Sequence, residues 1–464
     1  MTGHYLDAVS GTAANTAAPS SVLLRLLDSD RYRLHSTVMW RKNLPQDVIE
    51  AVLGHADPAV RNAFAESWNV PPEQRARLLD DPRSRNVLAV ATGPLPNRTK
   101  VEPLPDWAYE RLLSHPRDRV RHETLMSPAI PAHIVAGLAD HPEPAFRVVA
   151  CRAWDQLGDE TRQSLLDDEH YDVWRAASLR VCHQDEERTT ELIRQEGPDW
   201  QLVQPLKHGL LSRAVAEWMV AEERHLAALA HNPSLPSDLV ARLATDPDPD
   251  VRLAVSARPE LTEDERAAVK YAVGPDDRLP TLDWVWDARA DSGVLRRCAT
   301  SAHTWLRRSA AVCPGLPPDL VQLLADDDDF AVRLMLAEFH PEPPPELLLD
   351  LYLHGAHQAV GMLIVNPRFP RAGLAARFGD SEHARCRELA MRDPEATPEL
   401  IERLSRDTDP SVRGTAARDP RLSLARVREL LAEPETAYYA AANPTLPVDD
   451  MHAVLDEAGI GIRI

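Results

Sequence analysis

The sequence predicts an all-α protein, an α-solenoid of two-helix repeats about 26 residues long. Two observations carry this. A phrase read at residues 232–259 returns near the C-terminus, and prolines recur through the second half at nearly constant spacing. A third points the same way: 464 residues exceed one ordinary hydrophobic core, so the core must be divided or renewed along the chain.

The clearest unit runs Asn232-Pro233-Ser234-Leu235-Pro236-Ser237-Asp238-Leu239, then Arg242-Leu243, then Asp248-Pro249-Asp250-Val251-Arg252, and closes at Arg258-Pro259. It returns as Pro398-Glu399-Leu400 with Arg403-Leu404, then Asp409-Pro410-Ser411-Val412-Arg413, closing at Pro420. Closing prolines fall at 233, 259, 314, 341, 367, 394, 420 and 444, mostly 24 to 27 residues apart, with one double step from 259 to 314. In the first half Trp40, Trp68 and Trp154 take the proline's slot, each seven residues after an arginine (Arg33, Arg61, Arg147). That register starts the repeats near residue 22 and leaves room for about fifteen units.

Each unit has a physical reading. Asp248 suits an N-cap, and Pro249 at the first helical position sacrifices no hydrogen bond. Val251, Ala254 and Val255 form an apolar stripe at i, i+3, i+4, and Pro259 ends the helix. The other helix is expected to start with Pro236 at its first position, with Asp238 in the first turn and Leu239 and Leu243 buried. Helices this short are marginal alone, so neighbouring units must stack to bury both faces.

Four segments follow: a disordered arm over 1–20, repeats over 21–154, an irregular helical stretch over 155–225, and repeats over 226–464. A loop is expected within 92–106, a break at 194–198, and a second irregular patch at 274–296.

Composition narrows function. A net charge of −20 argues against a surface that tracks phosphates, so nucleic acid is not the expected partner. Five scattered cysteines (151, 182, 298, 313, 386) contain no CxxC pair, so neither a zinc knuckle nor a disulfide framework is expected. The chain starts without a leader pattern, and no apolar run approaches the roughly 18 residues of a span, so a soluble cytoplasmic protein is expected. No GxSxG, glycine-rich phosphate loop or HExxH motif occurs, so no reaction and no cofactor are proposed.

The Asn-Pro-x-Leu-Pro … Arg-Leu-Ala … Asp-Pro-x-Val-Arg phrase resembles the leucine-rich repeat variant family, a branch close to HEAT-like repeats. The resemblance covers 22–92, 107–155 and 226–455. It implies a right-handed superhelix of paired short helices. Some members carry an N-terminal iron–sulfur module on clustered cysteines; this chain has no cysteine before Cys151, so none is carried over. HEAT-like proteins at large are scaffolds and adaptors, which implies a protein or peptide partner.

Two arginine sets repeat. Arg61, Arg121, Arg147, Arg252, Arg333 and Arg413 share one register beside the turn aspartates and are expected to form an inter-repeat ladder of charge-assisted hydrogen bonds. Arg77, Arg111, Arg242 and Arg403 lie on the other helix; on a solvated face they pair at i, i+4, and on a concave face they read a partner. Trp40, Trp68 and Trp154 are expected to plug the turn between helices. Trp284 and Trp286, in an irregular segment, are the aromatic contact candidates.

His354 and His357 have metal-ligand spacing without a third ligand, and Asp326–Asp329 reads as a helix start with surplus caps; no metal is expected at either. The leading function is a non-enzymatic scaffold. The alternative is a HEAT-like alkylpurine DNA glycosylase, for which Trp284, Trp286 and Asp287 are the compact aromatic–acid cluster. Oligomeric state is left open.

Overall fold

The computed structural model describes residues 3–29, 32–94, 102–195 and 198–461. Among them every regular element is a helix, none long and apolar enough to cross a membrane. The expected loop at 92–106 and break at 194–198 lie partly outside the described residues.

The first seven α-helices are α1 (Gly3–Ala14), α2 (Ser20–Leu27), α3 (Tyr32–Met39), α4 (Gln46–Leu53), α5 (Pro58–Ala65), α6 (Pro72–Ala76) and α7 (Ser84–Thr92). Later helices are named by their residues. Two kinds alternate over most of the chain. The first kind starts at an aspartate cap with proline next: Asp57, Asp248 and Asp409 accept the N–H of Ala59, Asp250 and Ser411 at 2.8, 2.9 and 2.9 Å. The second kind follows an extended proline. Pro236 therefore stands one place earlier than the sequence reading put it, as the capping residue of Ser237–Leu243. Its carbonyl accepts the N–H of Leu239 and Val240, both at 3.0 Å, and a proline is compatible with either place because its φ is fixed.

Helices of the first kind stack on the next of their kind: α3 on α5, α5 on α7, Thr304–Ala311 on Phe330–Phe339, Ala384–Ala390 on Pro410–Arg418. Their apolar stripes supply the core, for example Val60 and Phe64 on α5 and Val251, Ala254 and Val255 on Pro249–Ser256. Residues 155–195 and 198–225 are helical but irregular, and a non-helical stretch runs from Val269 to Leu282.

Side chains also bind successive units through backbone. Asn443 donates to the carbonyls of Ala417 and Asp419 at 2.8 and 2.9 Å, and Asn232 does the same to Leu206 and Gly209 at 2.7 and 2.8 Å. These amides satisfy carbonyls that a helix end leaves unpaired.

Two compact units result: Met1–Leu138 together with Arg371–Ile464, and Ala139–Pro370. In the first unit the ends of the chain meet. The arm expected over 1–20 is instead helical over Gly3–Ala14, and this helix packs on Ala437–Ala441 while α2 packs on Val448–Glu457. Asn15 donates to Ala441 O and Asn443 O at 2.9 and 2.6 Å, repeating one unit on what Asn443 does to Ala417 and Asp419. Arg41 then reaches Asn15 O at 2.6 Å. The small residues that suggested disorder are small because this contact is close: Ala8, Val9, Thr12 and Ala13 are all buried.

Candidate functional site

The first arginine set builds a joint between units. A turn residue accepts the N–H two residues on and offers its own carbonyl to the arginine six residues on. The arginine's remaining donors reach the turn of the next unit. Arg147 donates to His141 O at 2.9 Å and forks onto Asp168 at 2.7 and 2.9 Å. Arg61 bonds His55 O and Asp81 in the same way. Arg413 bonds Asp407 O at 2.9 Å and also Glu435; Arg252 bonds Asp246 O and, in place of a carboxylate, Lys270 O, both at 2.6 Å. Arg121 keeps His115 O at 2.9 Å but turns to Asp118 on its own helix at 2.6 Å. Arg333 forms none of these bonds. Arg307 and Arg387, which the sequence reading did not single out, occupy the register fully: each forks onto the next turn aspartate, Asp327 and Asp407.

The second set makes pairs between units, not within one helix. Arg77 forks onto Glu50 at 2.7 and 2.8 Å, Arg111 meets Asp80 at 2.6 Å, and Arg403 meets Asp380 at 2.7 Å. Arg77 and Arg403 take the acid of the preceding unit and not Glu73 or Glu399 four residues before them, and Arg111 has no acid at that spacing. Arg242 is exposed and carries no such pair among the described residues.

The expected turn plugs sit differently. Trp40 and Trp68 are 52% and 37% exposed and stack on each other at 5.5 Å. The turn is closed instead by Ser67, which donates to Met39 O at 2.7 Å, and Asn69, which donates to Trp40 O at 2.6 Å, leaving both rings outside. Trp284 donates its indole N–H to Ala257 O at 3.0 Å, and Trp286 lies under the Arg289 guanidinium at 5.2 Å. Asp283, beside them, is held by Lys207 at 2.5 Å.

The candidate site is a trough in the first unit on the face of α3, α5 and α7 opposite to their core stripes. A cavity of about 670 Å³ is lined by Arg33 and Thr37 from the first with Trp40 just after it, Asn62 from the second with Glu66 just after it, and Arg85, Leu88, Ala89 and Thr92 from the third. The spacing 33, 37, 40 and 85, 88, 89, 92 puts each set on one helical face. A second cavity of about 520 Å³ shares Asn62 and Arg85 with the first and reaches the starts of α5 and α7. Asn62 is buried and fixed by donating to Glu66 at 2.7 Å. Arg33 and Arg85 are exposed at opposite sides of the trough and form no ion pair among the described residues, which gives an acidic protein a locally cationic rim.

Compared with models of protein families and with curated proteins, the chain matches none.

One serine–histidine pair lies in the second unit. Ser256 and His303 are sealed from solvent and 2.8 Å apart. His303 Nδ1 accepts the N–H of Trp305 at 3.2 Å, so the ring proton is on Nε2 and donates to Ser256 Oγ. Ser256 in turn donates to Leu253 O at 2.7 Å. A general base needs the reverse polarity, so this pair serves structure. Burial and the Arg266 and Arg307 charges push His303 down to about 3.

The remaining motifs are likewise occupied. Asp327 and Asp329 hold Arg307 and Arg308, and Asp329 accepts the N–H of Val332 at 2.9 Å. His357 Nδ1 accepts the N–H of Ala359 at 3.1 Å. The thiols of Cys151, Cys298 and Cys313 are raised to about 11, 12 and 11 by burial, so they are weak nucleophiles.

Proposed function

We propose that the chain is a non-enzymatic, cytoplasmic protein-binding scaffold, a right-handed α-solenoid of leucine-rich-repeat-variant or HEAT-like units. The observation that carries this reading is the trough on α3, α5 and α7. It joins exposed aromatic surface at Trp40 and Trp68, an apolar floor at Leu88 and Ala89, and two arginines without an ion pair among the described residues. That chemistry fits a protein segment presenting an apolar or aromatic anchor between acidic residues. The bonds of Asn232 and Asn443, each to carbonyls 23 to 26 residues back, support a stacked-repeat architecture with such a face.

The test is a comparative pull-down from lysate with and without nuclease, using wild type, Trp40→Ala and Arg33→Glu/Arg85→Glu. The reading expects a nuclease-resistant protein retained by wild type and lost from both variants, with unchanged circular dichroism. A partner retained equally by all three, or one lost on nuclease treatment, would overturn it.

A further inference from the structure

Arg333 sits at the ladder position of Phe330–Phe339, six residues after Asp327, yet its side chain makes no hydrogen bond or ion pair among the described residues. Its Nε is buried and unpartnered. The sequence explains why. Arg147, Arg307 and Arg387 each find an aspartate in the next turn: Asp168, Asp327 and Asp407. After Arg121 that turn residue is His141, whose Nδ1 accepts the N–H of Glu143 at 3.1 Å, and the arginine falls back on Asp118 three residues before it. After Arg333 the turn residue is again a histidine, His357, doing the same for Ala359. Three residues before Arg333 stands Phe330, so the fallback carboxylate is missing too.

The guanidinium opens instead on two clefts of about 250 and 570 Å³ that also share Asp350. Their apolar walls come from Phe330, Leu351, Leu347 and the Pro344–Pro345 pair, and Asp326, Glu346 and Asp350 are the acids. His354 lies 4.0 Å from Asp350.

We propose that Arg333 receives a carboxylate from a bound peptide, and that a lysine or arginine next to that carboxylate is set against Asp350 and Asp326. The chain itself shows the receptor chemistry at the end of the guanidinium: in the same register an Nη donates to a carboxylate oxygen at 2.9 Å in Arg147 and at 2.7 Å in Arg387. A phosphate is the poorer fit, because its second negative charge would face the carboxyl groups of Asp326 and Asp350, which line the same clefts. A carboxylate with an adjoining cation meets both signs. This site lies in the unit Ala139–Pro370 and shares no lining residue with the trough, so either can fail without the other.

The test is nitrogen–proton NMR of arginine Nε–H groups in the full chain, with the Arg333 signal identified by its loss in Arg333→Lys. The probe is the blocked tetrapeptide acetyl-Gly-Asp-Lys-Gly-amide, with Asn-for-Asp and Gln-for-Lys versions as controls. The aspartate–lysine peptide should move the Arg333 signal saturably, and both controls should bind roughly tenfold or more weakly. Phe330→Asp, which supplies the carboxylate that Arg121 finds in Asp118, should suppress the response. Arg333→Ala should abolish binding without lowering the thermal midpoint, since no internal bond is lost. A signal unmoved by the aspartate peptide, moved equally by the Asn version, or still responsive in Phe330→Asp would overturn the proposal.

Discussion

Arg387 donates through Nε and an Nη to both oxygens of Asp407, each at 2.7 Å, while the carbonyl of the same aspartate accepts from Arg413 at 2.9 Å. Asp407 also accepts the N–H of Asp409 at 2.9 Å, fixing the turn before the helix Pro410–Arg418. One residue thus joins the arginines of two consecutive units to a helix start. Arg387 holds its carboxyl below the usual range, and only 9% of the side chain is exposed. Screening is therefore weak, and the geometry is bidentate, which is the case where an ion pair contributes.

Asp407→Ala should destabilise its surroundings by about 3 kcal/mol, because it leaves Arg387 unpaired and removes a turn acceptor. Since proteins open locally, the reading is hydrogen exchange over residues 381–418, where protection should fall. A double-mutant cycle of Arg387→Ala with Asp407→Ala should show coupling above about 1 kcal/mol. The exposed pair Arg77–Glu50 should couple by less than about 1 kcal/mol. Equal coupling in both cycles would mean that burial of the joint contributes nothing.

The helix starts were legible because cap chemistry is local: Asp248-Pro249 announces a helix start whatever lies around it. The joint was half legible. Arg61 and Arg147 stood out through the Pro-x-x-Arg phrase, but Arg307 and Arg387 follow Ser301-Ala302 and Ser381-Glu382, where no proline marks the turn. Counting six residues from the turn residue, rather than reading the phrase, finds all of them. The trough was not legible, since Thr37, Asn62 and Arg85 form the second face of short helices and read as ordinary polar surface. Helix α1 was misread for a different reason. Its glycine and alanines are small because another helix lies against them, and composition alone does not separate close packing from disorder.

Gly11 gives that contact a sharp test. A Cβ there would overlap the Tyr438 carbonyl and come within 2.9 Å of the Ala441 methyl. On helix propensity alone Gly11→Ala would stabilise α1 by up to about 1 kcal/mol. We expect the opposite sign: backbone cannot yield as a side chain can, so α1 is pushed from Ala437–Ala441. The thermal midpoint should fall and exchange at 437–443 should rise. A higher midpoint would show that α1 does not pack there in solution.

Leu243 and Val251 are each 1% exposed, on the two helices of one unit. Placing aspartate at either site buries a charge without a partner, at a cost of several kcal/mol. Leu243→Asp and Val251→Asp should each open Ser237–Ser256 to limited proteolysis, whereas Arg242→Asp, one residue away on the exposed side, should not. Similar cleavage in Arg242→Asp would mean that the buried faces are wrongly drawn.

His303 and His231 should make the second unit sensitive to mild acid. Burial is the first cause of both shifts, to about 3 for His303 and about 4 for His231, the latter aided by the Lys207 charge. Both folded values lie below the unfolded value of 6.5. Between those limits the unfolded chain binds more protons than the folded one, so stability rises with pH across the window. The contribution is complete above about pH 6.5 and is lost as pH falls toward 4 and then 3. At about 1.4 kcal/mol per unit, the His303 shift alone corresponds to on the order of 5 kcal/mol. His303→Asn keeps an acceptor for the Trp305 N–H while removing the titration. Urea midpoints measured from pH 7.5 to 4 should therefore fall more steeply for wild type than for His303→Asn. Parallel curves would place the acid sensitivity elsewhere, first of all in the ladder carboxylates Asp168 and Asp407, whose values lie below the usual range and whose loss begins only at lower pH.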